Sequence, residues 1–198
     1  GVFERKPLSG KININMNKSL IKKEDSQKVL MIGVYYKHNA AGGMASVIQY
    51  YEKYFDNLQY VPSWRDKNIA IKLFYAIKAY ILVTFKLLFN RKIEIVHIHT
   101  AADQSFKRKS KFVSLAKAFN KKIIIHIHGS RFKDFYDESE NKKIIIKNLK
   151  KADKLVVLSQ SWKEWFIKIS ISPKSIIVLN NIVEYPKNKE VKKEKKIK

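Results

Sequence analysis

The chain has 198 residues, 45% of them hydrophobic and 29% charged, which is enough for one sizeable globular core. It contains no cysteine, so disulfides and thiolate zinc sites are excluded. Its 41 Lys and Arg against 17 Asp and Glu give a net charge of +24, but the lysines occur along the whole chain without a nucleic-acid-binding motif, so no nucleic-acid partner is expected.

Two terminal segments flank a single predicted domain. Residues 1–27 have no consistent period and are interpreted as a leader or flexible amino-terminal segment. Residues 187–198, KNKEVKKEKKIK, are interpreted as a lysine-rich tail or linker, because such charge runs bury too little apolar surface to fold. The domain is therefore expected over residues 28–186. Since no secretory signal is visible, we expect it in the cytoplasm.

Within this domain, apolar runs of strand length alternate with stretches of helical period. Strands are predicted over residues 28–34, 58–61, 93–99, 121–128, 154–159 and 175–180. Helices are predicted over residues 44–55, 68–89, 106–119, 140–151 and 160–169. Because unbroken apolar strands are separated by helices, the pattern predicts an α/β fold, a doubly wound, mostly parallel sheet with helices on both faces. Such sheets bind ligands outside the carboxyl ends of their strands.

The loop between the first strand and the first helix contains a pair of glycines. In YYKHNAAGGMAS, Gly42 and Gly43 immediately precede the helix, where unpaired backbone N–H groups and the helix dipole favour an anion. Glycine also lets a phosphate or sugar approach the backbone closely. The loop is neither G-x-G-x-x-G nor a Walker sequence, so a ligand site and a simple turn are both compatible with it.

Four of the five histidines end two predicted strands, in IEIVHIHT and KKIIIHIHGS. Side chains alternate across a strand, so His97 and His99 share one face of the sheet, as do His126 and His128. A four-histidine zinc site is conceivable, but structural sites usually contain thiolates and catalytic sites often a carboxylate, so no metal is expected. The inner histidines are expected to pack with satisfied nitrogens, and the outer pair, His99 and His128, to meet a ligand. Gly129 lets the chain turn directly after His128.

Five motifs follow one another along the domain: KVLMIGVYYKHNAAGGMASVIQ, IEIVHIHTA, IIIHIHGS, ADKLVVLSQSW and SIIVLNNIVEYP. In this order they resemble the amino-terminal half of group 1, or family 4, retaining glycosyltransferases, over roughly residues 28–186. In that family two Rossmann-like domains face each other in the GT-B arrangement. The acceptor binds mainly to the first domain and the sugar nucleotide mainly to the second.

The resemblance also implies roles for particular residues. Gly42 and Gly43 are expected beside the donor phosphates or the acceptor, and His128 is expected to contact the transferred sugar. Gly129 and Ser130, which follow His128, are candidate binding residues with it. The resemblance implies no metal and no cofactor, the nucleotide sugar being a substrate.

One element of that family is missing from these residues. Its second domain carries an E-x7-E motif that helps hold the donor, and no two glutamates have that spacing here. We therefore expect the acceptor-binding domain of a hexosyltransferase, completed by a donor-binding domain and inactive alone. The expected reaction moves a sugar from a nucleotide sugar to a saccharide or lipid-linked saccharide of a surface polysaccharide. The alternative is a non-catalytic basic module for nucleic acid or anionic membrane.

A basic run, KRKSK at 107–111, bears on the acceptor. It follows Asp103 and Ser105, either of which can cap a helix beginning at residue 106. Cations in the first turn of that helix oppose its dipole, and an anionic acceptor group removes the conflict. Arg108 and Lys109 are therefore candidate ligands of a phosphate or uronate.

The predicted helix over residues 68–89 is apolar around most of its circumference. Lys72, Lys78 and Lys86 interrupt it, which argues against a membrane span. Docking on the inner face of an anionic cell membrane, with aromatic residues inserted, is the functional hypothesis, and a core helix is the simpler alternative.

Overall fold

The computed structural model describes residues 19–37, 42–65 and 67–181. The strands are β1 (Val29–Gly33), β2 (Gln59–Pro62), β3 (Ile95–Thr100), β4 (Lys122–Ile127), β5 (Lys154–Val157) and β6 (Ile176–Val178). The helices are α1 (Lys23–Ser26), α2 (Gly43–Tyr54), α3 (Ile69–Phe89), α4 (Asp103–Ala118), α5 (Phe132–Asp137), α6 (Lys142–Leu149) and α7 (Gln160–Lys168). The strands form one sheet in the order β2-β1-β3-β4-β5-β6, and every pairing is parallel. The predicted α/β fold is confirmed.

The sheet has two unlike faces because side chains alternate along each strand. Leu30 and Ile32 of β1 face the large core, which contains buried residues of α3, α4, α5, α6 and α7. Gly33 lies on the opposite face, where α2 packs through a small cluster around Ile48. Helix α2 therefore packs on this face of the sheet.

The strand order reverses between β1 and β3. From β1 the chain adds β2 on one side, and β3 to β6 follow on the other. In open α/β sheets this switch point leaves a crevice outside the carboxyl ends of the two strands. Gly33 ends β1 and Thr100 ends β3, so the glycine loop before α2 and the first histidine pair both adjoin this crevice.

Helix α4 begins earlier than the sequence predicts, and this overturns one argument. Its first residue is Asp103, so its first turn holds an acidic residue and no cation, and the run 107–111 starts only in the second turn. Ala102 is the N-cap, without a side-chain hydrogen bond, so neither predicted cap is used. Ser105 Oγ instead accepts from the Ala101 N–H at 3.2 Å. The helix dipole therefore creates no conflict that an anion must relieve.

Two segments are more ordered than the sequence predicts. Ile21 forms a parallel bridge with Phe55 and Ser26 is buried, so these two residues of the predicted leader pack on the domain. Helix α5 occupies a stretch for which no element was predicted, because six residues are too few to show a helical period, and buried Phe132 and Phe135 hold it. Most of the predicted leader, residues 1–18, and the predicted lysine-rich tail lie outside the described residues.

Helix α3 leaves most of its apolar surface uncovered. Asn68 caps it, accepting from the Ile71 N–H at 3.0 Å, and its buried residues are Ala79, Val83 and Leu87. Its exposed large apolar residues are Ile69, Leu73, Phe74, Ile77, Tyr80, Ile81, Leu82, Phe85, Leu88 and Phe89. Within the part of the chain that the structure describes, no helix combines the length and apolarity needed to cross a bilayer.

Candidate active site

The amino end of α2 begins with the predicted glycine pair. Gly42 is its N-cap and has φ 119°, a conformation that favours glycine. Among the residues that the structure describes, no atom lies within 4 Å of a Cβ placed on Gly42 or Gly43. The helix has neither a side-chain cap nor an acidic residue in its first turn, so its dipole and first N–H groups favour an anion. Both predicted glycines thus lie at the crevice.

Four histidines meet on the α2 face of the sheet, and we call His97, His99, His126 and His128 the histidine cluster. His99 and His126 pair in register across β3 and β4. Neighbouring ring centroids in the cluster lie between 4.0 and 5.6 Å apart. His99 Nδ1 and His128 Nε2 form a hydrogen bond of 2.8 Å. Tyr51 of α2 covers the cluster, with its ring centroid 5.9 Å from that of His97 and 5.6 Å from that of His99.

The burial of these histidines corrects two predictions. His99 is fully buried, so it reaches the crevice through its hydrogen bond to the half-buried His128 rather than directly. The inner histidines are buried as predicted, but their nitrogens are not all satisfied. Within the described ranges, His97 Nε2 and both ring nitrogens of His126 have no hydrogen-bond partner, and neither do His99 Nε2 and His128 Nδ1. Buried polar atoms are normally paired, so this cluster is exceptional.

Burial also keeps the histidine cluster neutral. Loss of hydration lowers the pKa of His97 to about 3 and that of His126 to about 2, with neighbouring imidazoles adding to both shifts. The pKa of His99 is well below its ordinary value for the same reasons. Burial lowers the pKa of His128 to about 4. Near pH 7 each ring therefore offers one N–H donor and one lone pair.

The chain turns away from β4 directly after the cluster. The His128 N–H donates to Thr100 O at 2.8 Å, which ties this turn to the end of β3. A Cβ on Gly129 would lie 3.0 Å from Ala102 N and 3.2 Å from Ala101 Cα, so glycine allows the two loops to touch. Ser130 follows with an exposed side chain. Gly129 thus positions His128 through close backbone packing.

The two basic candidates have different surroundings. Arg108 is half-buried, and its guanidinium carbon lies 3.7 Å from the centroid of the Trp64 ring, which leaves the N–H edge of the guanidinium for other partners. Lys109 is 2% exposed, and its ammonium donates to Gly33 O at 3.2 Å and to Ser63 Oγ. Burial, and then the charge of Arg108, lower the pKa of Lys109 to about 7. Lys109 therefore joins α4 to the ends of β1 and β2, while Arg108 keeps access to a ligand.

Sequence reasoning missed three residues of this region. Tyr51 belongs to the apolar stripe predicted for α2, which indicated burial but not contact with histidines. Ser63 and Trp64 come directly after β2, and that position at a strand end was the signal that could have identified them.

These features define an open α/β domain whose candidate site lies at the switch point of its sheet. The chain belongs to glycosyltransferase family 4, because the sequence model described as Glycosyltransferase Family 4 matches residues 43–185, well over half of the chain. The resemblance recognised from the motifs is thereby confirmed. The matched residues include the whole histidine cluster.

Among solved structures, the chain is similar to one described as the apo form of the lipopolysaccharide outer core galactosyltransferase WaaB. The two sequences are 17% identical and the TM-score is 0.41. The similarity covers 78% of this chain and 46% of that one, so this chain spans less than half of the galactosyltransferase's length. No curated protein sequence matches the chain.

Proposed function

We propose that this domain binds the acceptor in a retaining glycosyltransferase of family 4. The enzyme moves a hexose from a nucleotide sugar to a saccharide, free or lipid-linked, during synthesis of a surface polysaccharide. A second domain binds most of the nucleotide sugar. The domain of this chain binds the acceptor and forms one wall of the cleft. On this proposal the domain does not turn over substrate alone, because the groups that stabilise the departing phosphate belong to its partner.

The environment of His128 is the observation that carries the proposal. His128 is the member of the histidine cluster with partial exposure at the crevice, and its lowered pKa keeps it neutral near pH 7. Its Nε2 bonds to His99, whereas its Nδ1 is buried without a partner. A sugar hydroxyl entering beside the ring relieves that unfavourable state. The open amino end of α2, at the same edge of the sheet, suits the phosphates of the donor.

The test is sugar transfer by the native gene product, assayed as nucleotide release from a panel of nucleotide sugars. We expect one donor to be consumed, and His128→Ala to lower the rate by about 100-fold without a matching loss of unfolding free energy. Replacement of exposed Ser172 by Ala is the control and leaves the rate unchanged. Absence of nucleotide release with every donor, together with salt-sensitive binding to unrelated DNA, would favour the basic binding module instead.

A groove between α3 and α4 supports a lipid-linked acceptor. It has a volume of about 840 Å³, and its lining includes Ile77 and Tyr80 of α3 and Phe112 of α4. Arg108 lies in the same lining, so the guanidinium edge left free by Trp64 adjoins an apolar channel. This combination suits a phosphate with a hydrocarbon chain attached, because a planar guanidinium binds phosphate oxygens in pairs.

The exposed side of α3 supports peripheral contact with an anionic membrane. Phe74 is 58% exposed and Phe85 is 56% exposed, and residues of this side also line the groove. The net charge of +24 favours anionic headgroups, and the lysines of α3 add to it. If α3 lies in the membrane–water interface, the groove is at the same depth as the headgroup of a lipid-linked acceptor. The expected location is therefore the cytoplasmic face of the cell membrane.

Vesicle flotation tests this membrane contact. The chain should float with vesicles containing anionic phospholipid at low salt, and the double variant Phe74→Ser/Phe85→Ser should float about 10-fold less. Ile144→Ser, which removes an apolar residue of similar exposure from α6, is the matched control and should float like wild type. Equal flotation of the double variant and the wild type would mean that α3 is not the contact.

A further inference from the structure

The histidine cluster contains a set of atoms that the proposed function does not use. One ring nitrogen from each of His97, His99 and His126 lies within 4.8 Å of one from each of the other two. All three side chains are at least nine-tenths buried, with 9%, 0% and 1% of their surface exposed. They come from two neighbouring strands and point to one face of the sheet. Three ligand atoms are thus gathered on a rigid scaffold.

These nitrogens have no hydrogen-bond partner among the residues that the structure describes. His97 Nε2, His99 Nε2 and both nitrogens of His126 are buried without a hydrogen bond. A buried polar atom in that condition costs about 1–3 kcal/mol, so the cluster is unfavourable unless something else binds to it. Imidazole binds metal through the lone pair of an unprotonated ring nitrogen, and each of the three residues offers one such atom.

We propose that His97, His99 and His126 bind one divalent transition-metal ion, with zinc as the first candidate. Imidazole ligands suit zinc, copper, nickel and cobalt, whereas magnesium and calcium require oxygen ligands. The triad contains no carboxylate, which favours the first group. Zinc–nitrogen bonds of about 2.0–2.1 Å in a tetrahedron place nitrogens about 3.4 Å apart, so binding draws the rings together by on the order of 1 Å. The fourth position is then open to water.

The metal would position His128, and this consequence rests on the proposed function. When a metal takes the lone pair of His99 Nε2, the proton of that ring must be on Nδ1. The Nδ1–H then donates to His128 Nε2 across the observed 2.8 Å. His128 consequently carries its own proton on Nδ1, the atom assigned to the sugar. His99 is thus a positioning residue that fixes the tautomer of His128, and the proposal reverses the expectation of no metal drawn from the sequence.

The test uses the full chain, stripped with a chelator and titrated separately with Zn²⁺ and Co²⁺. We expect one ion per chain, visible ligand-field absorption of four-coordinate Co²⁺, and a Tm rise of about 5–10 °C at 100-fold excess over Kd. His97→Gln and His126→Asn should each weaken binding about 10-fold or more. His128→Asn should retain the one-ion stoichiometry and the Co²⁺ spectrum, because His128 is not a ligand, while loss of its hydrogen bond to His99 lowers the affinity.

Two results would overturn the site: no 1:1 binding of either ion, or undiminished binding in His97→Gln and His126→Asn. Far-UV circular dichroism of the metal-free variants checks folding, and if one variant fails to fold, the other and His99→Gln carry the test. Loss of binding in His128→Asn would overturn the three-ligand assignment. Because none of these measurements uses a sugar donor, a failure of the metal site is distinguishable from a failure of the glycosyltransferase proposal.

Discussion

Replacing Lys109 by Met should make the domain more stable at neutral and acidic pH. The Lys109 ammonium is buried, and its partners are a carbonyl and a hydroxyl rather than a carboxylate. Its pKa falls from 10.5 to about 7, which corresponds to on the order of 5 kcal/mol at about 1.4 kcal/mol per pH unit. Met fills a similar volume without charge, and the Ser63 hydroxyl still donates to Gly33 O at 3.0 Å.

The pH dependence of this effect has a definite sign. Between pH 10.5 and 7 the unfolded chain holds a proton on Lys109 that the folded chain does not, so wild-type stability falls as pH falls through this range. Below pH 7 the full penalty is present. The stability advantage of Lys109→Met should therefore shrink by about 3 kcal/mol between pH 7 and 9.5.

Urea unfolding followed by tryptophan fluorescence measures this advantage. Taking the difference between variant and wild type cancels the contributions of buried tyrosines such as Tyr60, whose pKa is raised by burial. Lys117→Met, at an exposed position of the same helix, is the control and should give a difference that does not vary with pH. A difference for Lys109→Met that is constant within about 0.5 kcal/mol from pH 6 to 9.5 would refute the reasoning.

Three further predictions concern the glycines and the histidine cluster. Gly42→Ala should lower the unfolding free energy by about 1–2 kcal/mol, because alanine is strained at φ 119°. Gly43→Ala, at the first helical position, should raise the unfolding free energy by about 0.5–1 kcal/mol. Equal urea midpoints for the two variants would contradict this. Gly129→Ala should lower the unfolding free energy by about 1–3 kcal/mol and lower the sugar-transfer rate by displacing His128. A transfer rate and a urea midpoint equal to those of the wild type would show that the loops at Gly129 and Ala101 move apart at no cost. Finally, the metal-free chain should lose stability as pH falls from 6.5 to 4, by up to on the order of 5 kcal/mol per pH unit, because the histidines bind protons in the unfolded state and stay unprotonated in the folded state. His126→Asn should make the unfolding free energy, measured in urea titrations, depend less steeply on pH. An unchanged slope would count against burial of the cluster.

Apolar periodicity predicted the sheet well, for a local reason. Each strand is a continuous apolar run whose burial on both faces can be read within a few residues, and all six predicted strands are present. Helix ends were less predictable. Asp103 begins α4 with φ 53°, a conformation that no apolar pattern signals. Helix α5 depends on Phe132 packing against α4 and α7, which only the folded chain provides.

The environments of the site residues depend on residues far apart in the sequence. Lys109 lies in a run that resembles many other lysine-rich stretches of the chain, and only the folded sheet brings Gly33 and Ser63 to its ammonium. The histidine spacing correctly predicted a shared face. It could not predict that Tyr51 would cover His99, because that contact depends on how α2 crosses the strands.

The histidine cluster lies beneath α2, which is an element of few buried residues. Those residues are Ala45, Val47 and Ile48, far fewer than support the strands. Elements with little buried apolar surface open more often than the protein unfolds as a whole, so amides of α2 should exchange with deuterium sooner than those of β3 and β4. The frequency of that opening would set how quickly an ion reaches or leaves the buried histidines.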